Sequence, residues 1–420
     1  MSSRLCVDPT AADVLQGAGI TSVGHVLGYR PSSLAALSGS SETFPVDLPG
    51  GAGRVFVKRY RYRRLRAQWE GLFRGTLFGA SRARFEYEFL DEMRRRGVPA
   101  VEPMAYGEKR KRGWLRACFL ITAAADETES IDSLLLAADI DAAERRALAR
   151  HLGAQIRRMH DAGVLHGGLF GRNIMVGRDA TADRDGRAWR FCLLDPDRRG
   201  RFYSGSVPPE GVVSDLSDLA ATAVHLVGRT DFLRFARGYW DCRRLSEKEK
   251  ATMRQVAQAS RGKAKQEGHR LAVGSTISWL AGRIERTRAD TDVVARPFDS
   301  VDDFFQSLSG GPLPAGLAQH RGTVRLQLSG NSGSTGSAYT MVVDRDTIQV
   351  HRADAQRRTA AAKPDLSVHT SQRTWLAILN AHEKTFEWLR TDGFDIRGDT
   401  RLLMTLQRIV DARTAHLVVP

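Results

Sequence analysis

The period at which apolar residues recur changes along this chain, and no single layer of secondary structure absorbs such a change. From Leu34 to Lys58 short apolar runs alternate with glycine turns: LAALSGSSETFPVDL, then PGGAG, then RVFVK, where Val55 and Val57 flank Phe56. A period of two predicts a small antiparallel sheet. The period then lengthens. Phe85, Phe89, Leu90 and Met93 recur at spacings of three and four between Ser81, a natural N-cap, and the stop Gly97-Val98-Pro99, which predicts a helix over 81–96. WLRACFLIT from Trp114 reads as a buried strand, and Leu148, Leu152, Ile156 and Met159 mark a long helix over 141–162. Helical texture continues through 215–227 and 248–286. Beyond ARPFDS, near residue 300, alternation returns in TVRLQL, AYTMVV, TIQV and DLSVHT. A helix containing WLAILNAHEKTFEWL, the segment GFDIRGD and a last helix, LLMTLQRIV, follow. The expectation is an α+β chain with a sheet-and-helix lobe at 1–120, a mainly helical lobe at 121–295 and a separate α/β domain at 302–420.

Composition narrows the class of partner. With 42% apolar and 26% charged residues over 420 positions the chain is globular rather than disordered. No stretch approaches the roughly 18 apolar residues of a membrane span, and MSSRLCVDPT lacks a signal-peptide pattern, so a cytosolic protein is expected. Cys6, Cys118, Cys192 and Cys242 form no CxxC pair, which argues against a disulfide frame or a zinc site. The net charge of +15 calls for an acidic partner. Residues 51–120 hold 18 Lys/Arg against 7 Asp/Glu, whereas residues 301–420 hold 14 against 12, so the basic character belongs to the first third. Its densest run, KRYRYRRLR from Lys58 to Arg66, suits nucleic acid or an anionic lipid headgroup, or is a solvated strand end and loop. No recognised nucleic-acid motif accompanies it, so nucleic acid is the weakest of these readings.

Phosphoryl transfer from a nucleotide in the kinase manner requires a strand lysine, a helix glutamate, a loop HxDxxxxN and an aspartate after a buried strand, and a place for each can be located in this chain. Lys58 ends VFVK, where an ammonium can emerge beside a phosphate. Glu86 shares a helical face with Phe89, Leu90 and Met93, so its carboxylate points inward and needs a cation. LHGGLFGRNIMV offers His166 and, seven positions on, Asn173, whose amide oxygen suits a hard cation. WRFCLLDPD brings an apolar run to a stop at Asp195, a second oxygen ligand for Mg²⁺, with Asp197 two residues later. Each position also has an ordinary reading: an exposed strand-end lysine, a boundary glutamate, a turn asparagine and a strand-end cap.

The segments VFVKRYRYRRLR, SRARFEYEFLDEMRRRGVPAVEPMAYGE, LHGGLFGRNIMV, LLDPDRR and SDLSDLA together resemble the lipopolysaccharide core kinases, the Kdo/heptose kinase group, over roughly residues 20–285. The resemblance implies a two-lobed protein-kinase-like fold, ATP with Mg²⁺, and a sugar hydroxyl of a lipid-linked glycan or related anionic lipid as acceptor. It places nucleotide binding on Lys58, Glu86, Asn173 and Asp195, with Asn173 and Asp195 as the metal ligands. One departure stands out. Gly168 occupies the position of the family's catalytic aspartate, and glycine can neither orient nor deprotonate a hydroxyl. His166 or Asp197 takes that role, or positioning and metal suffice. The alternative is a pseudokinase serving as a lipid-binding scaffold. The phosphate-covering loop is also reduced, with only SGSS at 38–41 in place of GxGxxG.

The last domain, over about 302–415, resembles sterol carrier protein type 2 domains, chiefly in PDLSVHTSQRTWLAILN and the Gly398-Asp399 turn before the last helix. That resemblance implies a tunnel for an acyl or isoprenoid chain, with Trp375, Leu376, Leu379, Phe386 and Trp388 as candidate lining residues; an ordinary packed core explains the same residues. The combined expectation is a kinase acting on a lipid-linked saccharide in the cytoplasm or at the cytosolic face of the inner membrane, touching that membrane through its basic first lobe.

Overall fold

The structure is a computed structural model that describes residues 2–31, 33–37, 41–62, 79–137, 140–179, 189–289, 298–308, 321–330, 336–344, 347–382 without 355–363, and 384–415. By its internal contacts the chain divides into two compact units, one of residues 1–31 and 37–267 and one of residues 32–36 and 268–420.

The first unit opens on a six-stranded sheet. Its strands are β1 (Ser2–Val7), β2 (Ala36–Leu37), β3 (Ser41–Asp47), β4 (Arg54–Arg61), β5 (Pro103–Lys111) and β6 (Trp114–Ala123), ordered β1-β5-β6-β4-β3-β2. The glycine-rich segment PGGAG joins β3 to β4 because Gly50, Gly51 and Gly53 take positive φ of 67°, 74° and 100°. Thr43 of β3 and Leu120 of β6 flank Lys58, so β4 is an inner strand and Lys58 is anchored on both sides. Two short helices, α1 (Ala12–Gly17) and α2 (Val23–Gly28), precede β2. The helix α3 (Arg82–Arg95) follows the expected pattern: the Ser81 hydroxyl accepts from the Arg84 N–H at 3.0 Å, and Gly97 ends it at φ 74°. It buries Glu86 together with Phe89, Leu90 and Met93.

Helices form the second half of this unit: α4 (Ile131–Ala137), α5 (Ala142–Asp161), α6 (Pro209–Ala223), α7 (Arg229–Tyr239) and the start of α8 (Glu247–Ala289). A capping box between Asp141 and Glu144 begins α5. Helices α5 and α7 meet backbone to backbone. A Cβ at Gly153 would lie 2.2 Å from the Phe235 carbonyl oxygen, and one at Gly238 2.2 Å from that of Arg150. Between the helices lie the short strands β7 (Glu129–Ser130), β8 (Val164–Leu165), β9 (Ile174–Arg178), β10 (Trp189–Leu193) and β11 (Arg201–Phe202), which hold the loops of the site. The core is continuous from Tyr60, Phe89 and Met93 of the sheet lobe to Leu152, Ile156 and Leu169 of the helical lobe.

Asp132 in the first turn of α4 is buried against Gly171, and burial pushes its carboxyl up to about 7, with the nearby Arg172 opposing the rise. Its ordinary value is about 3.9, so the cost of ionising it in the folded state accumulates as pH rises from about 4 to 7 and is constant above that. Asp132→Asn is therefore expected to raise the melting temperature at pH 8 and leave it unchanged at pH 4, checked by thermal unfolding at both values.

The second unit carries a five-stranded sheet of β12 (Gly322–Ser329), β13 (Ser337–Asp344), β14 (Thr347–Asp354), β15 (Leu366–Ser371) and β16 (Asp395–Gly398), ordered β14-β13-β12-β15-β16. Only the β12–β15 pair is parallel. Helices α9 (Val301–Leu308), α10 (Gln372–Leu379), α11 (Thr385–Asp392), α12 (Thr400–Ala415) and the end of α8 accompany it. The segment expected as one helix, WLAILNAHEKTFEWL, is two. Ala381 has φ 46°, and the Asn380 side chain leaves the helical pattern to exchange hydrogen bonds with the Phe298 backbone at 3.2 and 2.9 Å. Gly398 is required where it stands, since a Cβ would lie 2.0 Å from the Asp365 carbonyl oxygen.

A cavity of about 10 Å³ in this unit is bordered by Trp279, Trp375, Ile378, Phe394, Leu403 and Val410 among others. Of the five expected lining residues Trp375 borders it, Leu379 and Phe386 are core, and Leu376 and Trp388 are half-buried. Trp388 stacks on His382 with its other partner, Arg373, 5.1 Å from its ring centre. Among the described residues no helix is long and apolar enough to cross a membrane.

Candidate active site

Three segments of the first unit converge on Lys58. Its ammonium lies 3.3 Å from Glu86 Oε2 on α3 and also reaches Asp195 Oδ1, two residues past β10. Glu86 is fully buried, and its other oxygen accepts from the Tyr60 hydroxyl at 2.7 Å and from Arg82 Nε at 2.8 Å. Local geometry explains both partners. Tyr60 is two residues from Lys58 and so on the same side of β4, and Arg82 is one helical turn before Glu86. A second nitrogen of Arg82 stands 3.6 Å from Asp195 Oδ1.

The electrostatics follow from two carboxylates facing two cations. Burial raises the Glu86 carboxyl, with Lys58 and Arg82 opposing. Burial also acts to raise Asp195, but Lys58 and Arg82 outweigh it and hold the carboxyl at about 2, so it is ionised throughout the physiological range. Asp195 has φ 57°, a backbone conformation that a non-glycine residue adopts only where its surroundings impose it.

The loop between β8 and β9 supplies the other side. Asn173 Nδ2 donates to the Gly168 carbonyl at 2.9 Å and leans toward the Asp195 carbonyl at 3.5 Å, so the amide nitrogen is engaged and Oδ1 is the atom that can offer a lone pair to a cation. The N–H groups of His166 and Gly167 each donate to the buried Asp215 carboxylate of α6 at 2.8 Å. His166 is fully buried, and burial lowers its pKa, so the ring is neutral. Its Nε2 donates to the Leu194 carbonyl at 3.2 Å, and Nδ1 has no partner among the described residues. A Cβ at Gly167 would lie 2.3 Å from the Gly200 nitrogen, so glycine is required there.

Gly168 is different. A Cβ built on it would stand 3.1 Å from the Asp197 Cβ, so the Asp197 side chain starts beside the place where a side chain at 168 would begin. Asp197 is partly exposed, its N–H donates to the His166 carbonyl at 3.3 Å, and its Oδ1 accepts from the N–H and Nε of Arg199 at 3.2 and 3.3 Å.

All six residues singled out in the sequence thus lie in one region: Lys58 with Glu86 and Asp195, Asn173 beside the Asp195 backbone, His166 bonded to Leu194, and Asp197 beside Gly168. Sequence reasoning passed over Arg82, Tyr60 and Asp215. The first two had a signal, a spacing of four from Glu86 and of two from Lys58. Asp215 stood in the quoted segment SDLSDLA, but nothing local tied it to the loop, since it lies 49 residues from the N–H it accepts. The basic run is partly structural. Arg59 is buried, donating to the carbonyls of Val26 and Tyr29 at 2.9 and 2.6 Å and pairing with Glu42 at 2.8 Å, and Arg61 donates to Leu27 at 2.8 Å. Its last four residues, 63–66, and positions 38–40 of SGSS lie outside the described residues.

Among the described residues no three His, Cys, Asp or Glu side chains form a metal cluster. One carboxylate and one amide oxygen, from Asp195 and Asn173, are nonetheless the donor set that fits magnesium, which keeps waters and substrate phosphates as its remaining ligands.

Residues 51–239 match the lipopolysaccharide kinase (Kdo/WaaP) family, and residues 306–411 match the SCP-2 sterol transfer family. No curated protein matches the chain. Among solved structures it is similar to "WaaP in complex with acyl carrier protein", with 20% identity over 62% of this chain and 98% of that one at a TM-score of 0.44. Both resemblances carried by the sequence are therefore borne out: the chain joins a segment similar to the lipopolysaccharide kinase (Kdo/WaaP) family to one similar to the SCP-2 sterol transfer family.

Proposed function

We propose that the first unit transfers the γ-phosphoryl group of ATP to a sugar hydroxyl of a lipid-linked saccharide, and that the second binds an acyl or isoprenoid chain by opening its core, since the cavity of about 10 Å³ there has room only for a water. The observation that supports this most is the Lys58–Glu86–Asp195 network, drawn from three segments far apart in the chain. Lys58 contacts the phosphates and Glu86 orients it. Asp195 and Asn173 would hold Mg²⁺, which when bound would neutralise charge on the phosphate oxygens. The acceptor oxygen bonds to the γ-phosphorus, the bond to the bridging oxygen of ADP breaks, and the hydroxyl proton passes to the Asp197 carboxylate. Asp197 suits this role because it is partly exposed and starts beside Gly168. His166, buried and neutral, fixes Leu194 and so the backbone leading to Asp195. The reaction belongs on the cytosolic side, at a membrane face where exposed cations of the first lobe meet anionic lipid.

The full chain incubated with ATP, Mg²⁺ and lipopolysaccharide-type glycolipids should release ADP. Turnover unchanged in Asp195→Asn would remove the assignment. Asp197→Asn should lower turnover about a hundredfold with ATP affinity within a factor of about two, read from steady-state kinetics and nucleotide titration. Gly168 supports a second reading, a scaffold that binds lipid without phosphate transfer. Under it, wild type and Asp197→Asn are equally inert and lipid stays with the purified protein.

A further inference from the structure

The family match of the first unit ends at residue 239, yet two charged side chains from beyond it pair with residues that neighbour the site. Both come from α8, and both are held by ion pairs, Lys263 half-buried and Glu267 buried. Lys263 Nζ lies 2.5 Å from Asp218 Oδ1 and 2.9 Å from the Ser217 hydroxyl of α6. Glu267, one turn later on the same helical face, is almost fully buried and pairs with Arg172.

Each contact leads to a residue of the site in one or two steps. Asp218 is fully buried, so its carboxylate needs compensating charge. It takes that charge from Lys263 and from Arg199 Nη2 at 3.0 Å, and Arg199 Nε in turn lies 3.3 Å from Asp197 Oδ1. Arg199 is therefore shared between two carboxylates, and Lys263 decides how much of it remains for Asp197. Arg172 immediately precedes Asn173, lies over the Phe170 ring at 4.3 Å, and has its backbone N–H on Asp132. Glu267 fixes the side chain of this residue and with it the turn that presents Asn173.

We propose that Lys263 and Glu267 are positioning residues of the phosphotransfer site, Lys263 setting Asp197 through Asp218 and Arg199, and Glu267 setting Asn173 through Arg172. The inference rests on the reading of the first unit as a kinase. It assigns to α8 a part of the active site that the matched segment alone does not contain.

The test uses the full chain, a fluorescent ATP analogue titrated against Mg²⁺, and steady-state turnover of ATP. Lys263→Met should lower kcat about tenfold with the KM for ATP within about twofold, and Lys263→Arg should recover most of it. Arg199 still pairs with Asp218 in Lys263→Met, so the protein remains folded. Glu267→Gln should raise the Mg²⁺ concentration at half-maximal nucleotide binding about fivefold to tenfold, a readout that needs no turnover. Wild type that binds and turns over Mg-ATP, with both variants behaving like it, overturns the role of α8 and leaves the kinase reading standing. Equal loss in Lys263→Met and Lys263→Arg, or a loss confined to melting temperature, also overturns it. Wild type whose nucleotide binding ignores Mg²⁺ overturns the kinase reading and the inference with it.

Discussion

Lys58→Met should reduce ATP turnover by about a hundredfold to a thousandfold while the protein stays folded. The loss follows from removing a preorganised cation aimed at a group that gains negative charge in the transition state. Survival of the fold follows from the neighbours: Glu86 keeps the Tyr60 hydroxyl at 2.7 Å and Arg82 at 2.8 Å, so the buried carboxylate is not left bare. The stability cost is therefore about 1–3 kcal/mol rather than the larger penalty of an orphaned buried charge. The variant also has a pH signature. Lys58 helps hold the Asp195 carboxyl at about 2, below the roughly 3.9 of an unfolded chain. A depressed carboxyl contributes stability that is present above about pH 4 and is lost as pH falls toward 2. Lys58→Met should diminish that contribution, so the gap in stability between wild type and variant narrows on acidification through this window. Steady-state turnover and denaturation at pH 7 and pH 3 measure both effects. Full turnover in Lys58→Met would end the assignment of the site.

Asp215→Ala should be the most destabilising change near the site, by about 3–5 kcal/mol and roughly 10 °C in melting temperature. Its carboxylate accepts the N–H groups of His166 and Gly167, one on each oxygen at 2.8 Å, and has no exposure to water. Alanine leaves both donors buried without an acceptor. Asp215→Asn keeps one acceptor oxygen and should cost about half as much. Because the same two residues lead into Gly168, turnover should fall in both variants even at temperatures where they are folded. Thermal unfolding and kinetics of the two variants side by side test this. An alanine variant as stable as wild type would show that the loop needs no such anchor.

The local rules read the sequence well wherever a pattern closes within a few residues. Ser81 and Gly97 bound α3 as expected, and Glu86 is buried on the same stripe as Phe89, Leu90 and Met93. The rules failed where a long-range contact overrode them: Asn380 turned to the Phe298 backbone and split one expected helix into α10 and α11. Arg59 likewise looked like part of a solvated basic patch, yet it is buried against the carbonyls of Val26 and Tyr29.

By itself the sequence determined which elements form and which candidate side chains each of them carries, because strand alternation, helix periodicity and capping act over two to four residues. Only the tertiary structure decided how those side chains are charged and aimed. Asp195 is held ionised by Lys58 and Arg82, His166 and Gly167 hang on Asp215, and Asp197 begins beside Gly168. Each of these contacts depends on distance through space, to which the order of residues along the chain gives no local clue.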